Sequence, residues 1–248
     1  MSQVAERITA LSPRKRALLE LRLRQQAARP RTFPLSFAQE QLWLLNQLQP
    51  DNPAYNICST LRLKGALDLF AFEQALGEIE RRHEMLRTTF IEVDEQPVQV
   101  VGPARRLRLP IVDLSGQTEA AQLVWAQVNI AREARGPFVL ASGPLWRHRL
   151  LRLGPHDHAV IFTMHHIVSD GWSMGLLVRE LVQLYEAFAH GQSSPLAELP
   201  IQYADYTRWQ RETAQGDTLA RQLDYWRRQL EGAPSALALP TDRPRAQR

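Results

Sequence analysis

The chain has 248 residues, 44% hydrophobic and 23% charged, with a net charge of +4. That is ordinary globular usage in a chain long enough to bury a sizeable core, and it excludes a low-complexity or fibrous protein. Almost all positive charge is arginine, with Lys15 and Lys64 the only lysines, and no basic stripe interleaves with aromatics; a nucleic-acid surface is therefore not expected. Cys58 is the only cysteine, so an intramolecular disulfide or a cysteine metal cluster is impossible and a reducing cytoplasm is the expected compartment. No signal peptide and no apolar run of spanning length is present, so no membrane association is expected.

Ser12-Pro13 is a helix start that leads into a basic segment ending near Arg24, and residues 1–30 read as a helical linker closed by Pro30. Ser36 to Leu48 reads as a helix with Phe37, Leu42, Leu45 and Leu48 spaced for burial. Ile57 to Leu63 alternates as a strand, and Leu69 to Arg82 is helical. Thr88 to Val93 and Val98 to Val101 resemble paired strands, and Glu119 to Ala134 is a helix. Trp146 to Leu153 and His158 to Met164 form a second pair around Gly154-Pro155. A helix from Met174 follows, with Leu177, Val178, Leu181, Leu184, Tyr185 and Phe188 at helical spacing and Gly191 as its stop. Beyond Pro195 the character changes to two polar helices, about Ile201 to Gln215 and Leu219 to Glu231, and a proline-rich end. Strands and helices in this order imply an α/β fold of mixed α+β type, a sheet covered by helices.

The run Met164-His165-His166-Ile167-Val168-Ser169-Asp170-Gly171-Trp172-Ser173 places two imidazoles and a carboxylate between a buried strand and a helix. Side chains held on such a scaffold suit catalysis, and the helix N-terminus favours developing negative charge. A histidine pair beside a strand is also compatible with hydrogen-bonded packing, and an aspartate before a helix is often an N-cap. Gly171 lets the backbone bend tightly after Asp170.

His165-His166-x-x-x-Asp170-Gly171 resembles the active-site motif of nonribosomal peptide synthetase condensation domains, members of the chloramphenicol-acetyltransferase-like superfamily. Three further segments match motifs of that family in order. They are Ser36-Phe-Ala-Gln39-Glu-Gln41-Leu-Trp43, Arg82-His83-Glu84-Met-Leu-Arg87-Thr88-Thr-Phe90, and Tyr203-Ala-Asp205-Tyr206-Thr-Arg-Trp209; Leu239-Pro-Thr-Asp-Arg-Pro244 is a familiar stretch beyond them. The likeness runs from about Phe33 to the end. It departs at Gln41, where the family usually carries arginine, and the family's late motifs are missing. The resemblance thus implies a chloramphenicol-acetyltransferase-like N-terminal lobe over 31–195 and the start of a second lobe over 196–248, roughly half a domain that would be inactive alone.

It also implies the reaction. The amine of one carrier-bound aminoacyl thioester attacks a second carrier-bound acyl or peptidyl thioester, each on a 4′-phosphopantetheine arm delivered by a carrier protein, with no cofactor or metal bound directly. The expected partners are donor and acceptor peptidyl carrier domains, an adjacent adenylation domain, and an upstream synthetase reached through the N-terminal helix. His166 is the residue expected to accept a proton or hydrogen bond from the amine. His165 is expected to support the turn, since adjacent strand side chains point to opposite faces. Asp170 is expected to be a buried structural group paired with Arg87, Gly171 to serve through its backbone, and Trp172 to line the substrate tunnel or pack in the core. Asp170-Gly-Trp-Ser173 and Asn52-Pro-Ala-Tyr-Asn56 most resemble domains joining an L-donor to an L-acceptor; heterocyclisation domains carry aspartates in place of the paired histidines. A non-catalytic module that recruits carriers or a tailoring enzyme is the alternative.

Other chemistries fit worse. Gly171-Trp-Ser173-Met-Gly175 matches a hydrolase nucleophile elbow, but His190 is the only histidine after it and precedes Asp205 and Asp224, the wrong order for a triad. Adjacent His165 and His166 should diverge, which disfavours a two-histidine, one-carboxylate iron site. His165-x-x-x-x-Asp170 also fits a glycerolipid acyltransferase pattern, which nothing else in the chain supports.

Overall fold

The computed structural model describes residues 31–234 and 240; the helix expected before Arg24 and most of the proline-rich end lie outside them. Among the described residues seven strands and six helices follow one another. They are β1 (Arg31–Pro34), α1 (Phe37–Leu48), β2 (Asn56–Lys64), α2 (Leu69–Arg82), β3 (Thr88–Val93), β4 (Gln96–Val101), β5 (Ile111–Asp113), α3 (Glu119–Arg135), β6 (Trp146–Gly154), β7 (Asp157–His165), α4 (Gly171–Ala189), α5 (Tyr203–Thr213) and α6 (Gly216–Gln229). Short 3-10 turns at Pro53–Tyr55 and Glu84–Arg87 precede β2 and β3.

The strands form two sheets where the sequence pattern suggested one. β1-β4-β3 is a small antiparallel sheet, and β2-β7-β6-β5 is a larger one in which only β5 runs parallel to its neighbour. The division was hidden because β1 is four residues long, ends in Pro34 and buries only Phe33. β5 is three residues long and reads as loop. The β3–β4 hairpin turns on Asp94 and Glu95, both at positive φ, the geometry of a two-residue turn without its usual glycine.

β7 organises the molecule. It pairs along all nine residues with β2, from Asn56 opposite His165 to Lys64 opposite Asp157, and it is buried from His158 to His165. Strand alternation sorts its side chains. Val160, Phe162 and Met164 join Phe72, Leu76 and Ile79 of α2 and Leu177, Leu181 and Leu184 of α4 in the main core. Ala159 and Ile161 face the opposite way, against Leu114, Leu151 and the Ala126–Ile130 face of α3. A third cluster packs Leu35, Phe90, Phe138, Leu140 and Leu145 around Ile167 and Val168, and so anchors the turn that leaves β7.

α1 spans its expected residues but buries different ones. Its capping box is complete, with Ser36 Oγ accepting from Gln39 N (3.2 Å) and Gln39 Oε1 accepting from Ser36 N (2.9 Å). The buried residue is Gln39, while Leu44, Leu45 and Leu48 are exposed. Gln41, where the family has arginine, is also exposed. One compact unit extends to Arg208, and the residues from Trp209 onward form a second. In that second unit α6 carries Leu223 and Trp226 exposed among charged residues, and Leu230 just after it is exposed too.

Candidate active site

β7 continues its alternation into the histidine pair, and this separates two identical side chains. His165 is 3% exposed and lies between Tyr55 and Phe138, with ring centroids 6.4 and 6.2 Å away. Its Nδ1 accepts a hydrogen bond from Ile167 N (3.1 Å), so the neutral ring carries its proton on Nε2. Burial, with a further contribution from neighbouring His166, pushes its pKa down to about 4. His165 holds the turn. His166 is exposed; its backbone N–H donates to Tyr55 O (2.8 Å), and its imidazole borders a cavity of about 400 Å³.

That cavity lies between α1, α2, the Glu84–Arg87 turn, α4 and residues 199–203. Ile79, Leu86, Met164, Leu177 and Leu199 give it an apolar wall. Asp170 borders its mouth and caps α4, accepting from Ser173 N (2.8 Å) and Ser173 Oγ (2.6 Å). Those two bonds hold its carboxyl below the usual carboxylate range.

The pairing expected between Asp170 and Arg87 is not made. Arg87 donates to Gly102 O and to Glu84 Oε1 (3.2 Å), and Glu84 in turn pairs with Arg31. Asp170 is exposed at the helix end rather than buried, so it needs no cation to offset desolvation. Gly171 opens α4, and nothing lies within 4 Å of where a Cβ would stand. Trp172 is 84% exposed and does not line the cavity, which removes the core-packing alternative.

Several motif residues to which the sequence assigns no role also build this site. Glu180 of α4 accepts from Arg82 Nε (3.1 Å) and His83 Nε2 (2.7 Å), and all three are largely buried. Arg82 also donates to Ala197 O, and Gln202 bridges Arg82 O (2.9 Å) and Glu84 N (3.2 Å). Tyr203 OH lies 3.0 Å from Ser36 Oγ, which joins the chain after residue 200 to the start of α1. Arg82, His83, Ser36 and Tyr203 stand inside recognisable motifs. Glu180 does not, since it sits at an unremarkable helix position.

The family model of the condensation domain matches residues 30–248. The chain belongs to the condensation-domain family. It is 48% identical over 221 residues to a linear gramicidin synthase of Brevibacillus parabrevis, covering 89% of this chain and 3% of that one. It is 42% identical over 257 residues to phosphinothricin tripeptide synthetase PhsC of Streptomyces viridochromogenes, covering 99% and 24%. Among solved structures, the starter condensation domain of rhizomide synthetase RzmA matches with TM-score 0.74 and 26% identity, over 82% of this chain and 49% of that one. The complex of the X-domain and OxyB from teicoplanin biosynthesis matches with TM-score 0.75 and 33% identity, over 88% and 47%. The chain therefore spans about half of these solved chains and a small part of the curated synthetases. Its fold is that of the condensation domains, the chloramphenicol-acetyltransferase-like α/β architecture. No helix among the described residues is long and apolar enough to cross a membrane.

Proposed function

We propose that this condensation domain forms peptide bonds, joining a carrier-bound acyl or peptidyl thioester to the amine of a carrier-bound aminoacyl thioester. The observation that carries the reading is His166, an imidazole with no hydrogen-bond partner among the described residues, at the edge of an apolar cavity and beside the N-terminus of α4. Attack of the amine forms the C–N bond and expels the carrier thiol; the amine gives up one proton and the thiolate takes one up. A thioester is already activated, so the requirement is to hold an unprotonated amine about 3 Å from the carbonyl carbon and to steady the tetrahedral intermediate. His166 receives the hydrogen bond or proton of the amine. His165 fixes the turn, Asp170 and Gly171 start α4, and the 4′-phosphopantetheine arms belong to the substrates.

Joining of an L-donor to an L-acceptor is the subtype favoured by the Asn52–Asn56 and Asp170–Ser173 segments. The first of these lies against the histidines: Asn52 Oδ1 caps the turn by accepting from Ala54 N (2.9 Å), and Tyr55 O receives the His166 N–H. Donor and acceptor carrier domains, a neighbouring adenylation domain and an upstream synthetase are the proposed partners. The similarity to an X-domain found in complex with OxyB favours a second reading, a module that recruits another protein. Intact-protein mass spectrometry separates the two. Loaded donor and acceptor carriers are mixed with the full-length domain that contains this chain, with and without His166→Ala. Coupling lost in the variant supports peptide-bond formation; carrier binding with no coupling in the unaltered protein supports recruitment.

A further inference from the structure

The polar groups around the cavity are almost all committed to the protein. Gln39 bonds to Ser36 N and reaches Met85 Sδ (3.5 Å), and both ends of the Gln202 amide are used. Tyr203 is held by Ser36, and Ser173 by Asp170. Apart from the Asp170 carboxylate at the mouth, the two imidazoles that line this cavity, His166 and His83, each keep an uncommitted ring nitrogen among the described residues. His83 lines the same cavity. Its Nε2 faces the Glu180 carboxylate, which also receives Arg82, so Nε2 is the donor and Nδ1 of the neutral ring is an acceptor.

We infer that this cavity takes the side chain of one of the two residues being joined, a large neutral group bearing one terminal hydrogen-bond donor, and that His83 Nδ1 is the residue that reads the donor. The inference rests on the peptide-bond-forming reading above. Size, polarity and geometry each narrow the ligand. A cavity of about 400 Å³ has room for a side chain as large as an aromatic one. The wall of Ile79, Leu86, Leu177 and Leu199 makes a charged side chain costly to bury. An acceptor in such a wall rewards a hydroxyl or indole N–H and is left unpaired by a purely apolar group of the same shape.

The test uses the full-length domain with both carriers, each loaded in turn with tyrosine, phenylalanine or glutamate while the other is held constant, so that the arms identify whether the donor or the acceptor residue fills the cavity. The expected result is a preference for tyrosine over phenylalanine of at least about tenfold in kcat/KM on one arm, with glutamate poorest. His83→Phe should bring the tyrosine-to-phenylalanine ratio close to one, a change that general loss of folded protein would not produce because it lowers both rates together. His83→Gln, which retains a donor for Glu180, is the second variant if His83→Phe does not fold. Coupling without discrimination on either arm of the unaltered protein overturns the inference alone, as does a ratio unmoved by either folded variant. Absence of coupling by every pair overturns the parent reading and this inference with it.

Discussion

The segment Arg82–Arg87 and the segment His165–Asp170 are both dense in ionisable groups, and both resemble family motifs, yet they use those groups differently. In the first, Arg82 and His83 hold Glu180, Glu84 holds Arg31 and Arg87, and Arg87 reaches Gly102 O. Their charges are directed into the structure, where they tie α2 and the strand after it to α4 and to residues 197–202. In the second, His165 is sealed in the fold while His166 and Asp170 keep hydrogen-bonding capacity open to solvent or cavity. What separates a chemical motif from an architectural one is therefore the bonding capacity left over after folding. His83 is the ionisable member of the first segment that lines the cavity.

The largest contrast should come from substitution in the open segment. His166→Ala is expected to lower coupling by a factor of about 10²–10⁴, the range for a group that handles a proton in the transition state. Its thermal unfolding should stay close to that of the unaltered domain, because the side chain is exposed and makes no hydrogen bond among the described residues. A variant that couples normally would place the chemistry elsewhere. One that unfolds would make His166 a member of the architectural class.

Glu180→Ala is the counterpart in the closed segment. It strands the Arg82 guanidinium, 8% exposed, with Ala197 O as its remaining partner, and removes the anchor of His83. Breaking a buried ion pair from one side costs about 3–5 kcal/mol. Urea unfolding should show that loss, and coupling should fall with the folded fraction. A change within about 0.5 kcal/mol would mean that the Arg82–Glu180 contact contributes little.

The histidine pair itself contains the comparison in miniature, and pH exposes it. The folded pKa of His165 is about 4, below the ordinary value near 6.5 expected when the chain unfolds. Between those values the unfolded state binds more protons, so stability rises with pH. The contribution is full above about pH 6.5 and is lost as pH falls towards 4, up to about 3 kcal/mol. Asparagine keeps an acceptor for Ile167 N and cannot titrate, so His165→Asn should flatten that part of the profile between about pH 7.5 and 4.5. An unchanged slope would show that another buried group carries the acid sensitivity.

Much of this arrangement is legible in the sequence, and the exceptions are physical. α2 has the expected limits because Asp68 caps it, accepting from Phe70 N and Ala71 N, and its apolar residues recur at helical spacing. β7 is visible as a continuous apolar run, and its period of two already implies that His165 and His166 diverge. α1 misleads because its leucines outnumber its buried positions, whereas Gln39 is buried through a capping box that hydrophobicity does not report. The ion pairs are the least legible part. Glu180 lies 98 residues from Arg82 in the chain, and which carboxylate meets which arginine is decided by how α2 packs on α4.

The pair expected from resemblance alone, Arg87 with Asp170, gives the finest test of how the two segments divide the work. Removing the cap by Asp170→Ala should cost about 1 kcal/mol through the lost bonds to Ser173. Removing Arg87 should cost stability through its contacts with Glu84 and Gly102 instead. Since the two side chains share no partner, the costs should add. A double-mutant cycle by urea unfolding should give a coupling energy within about 0.3–0.5 kcal/mol of zero. Coupling above about 1 kcal/mol would instead show that the arginine of the closed segment braces the carboxylate of the open one.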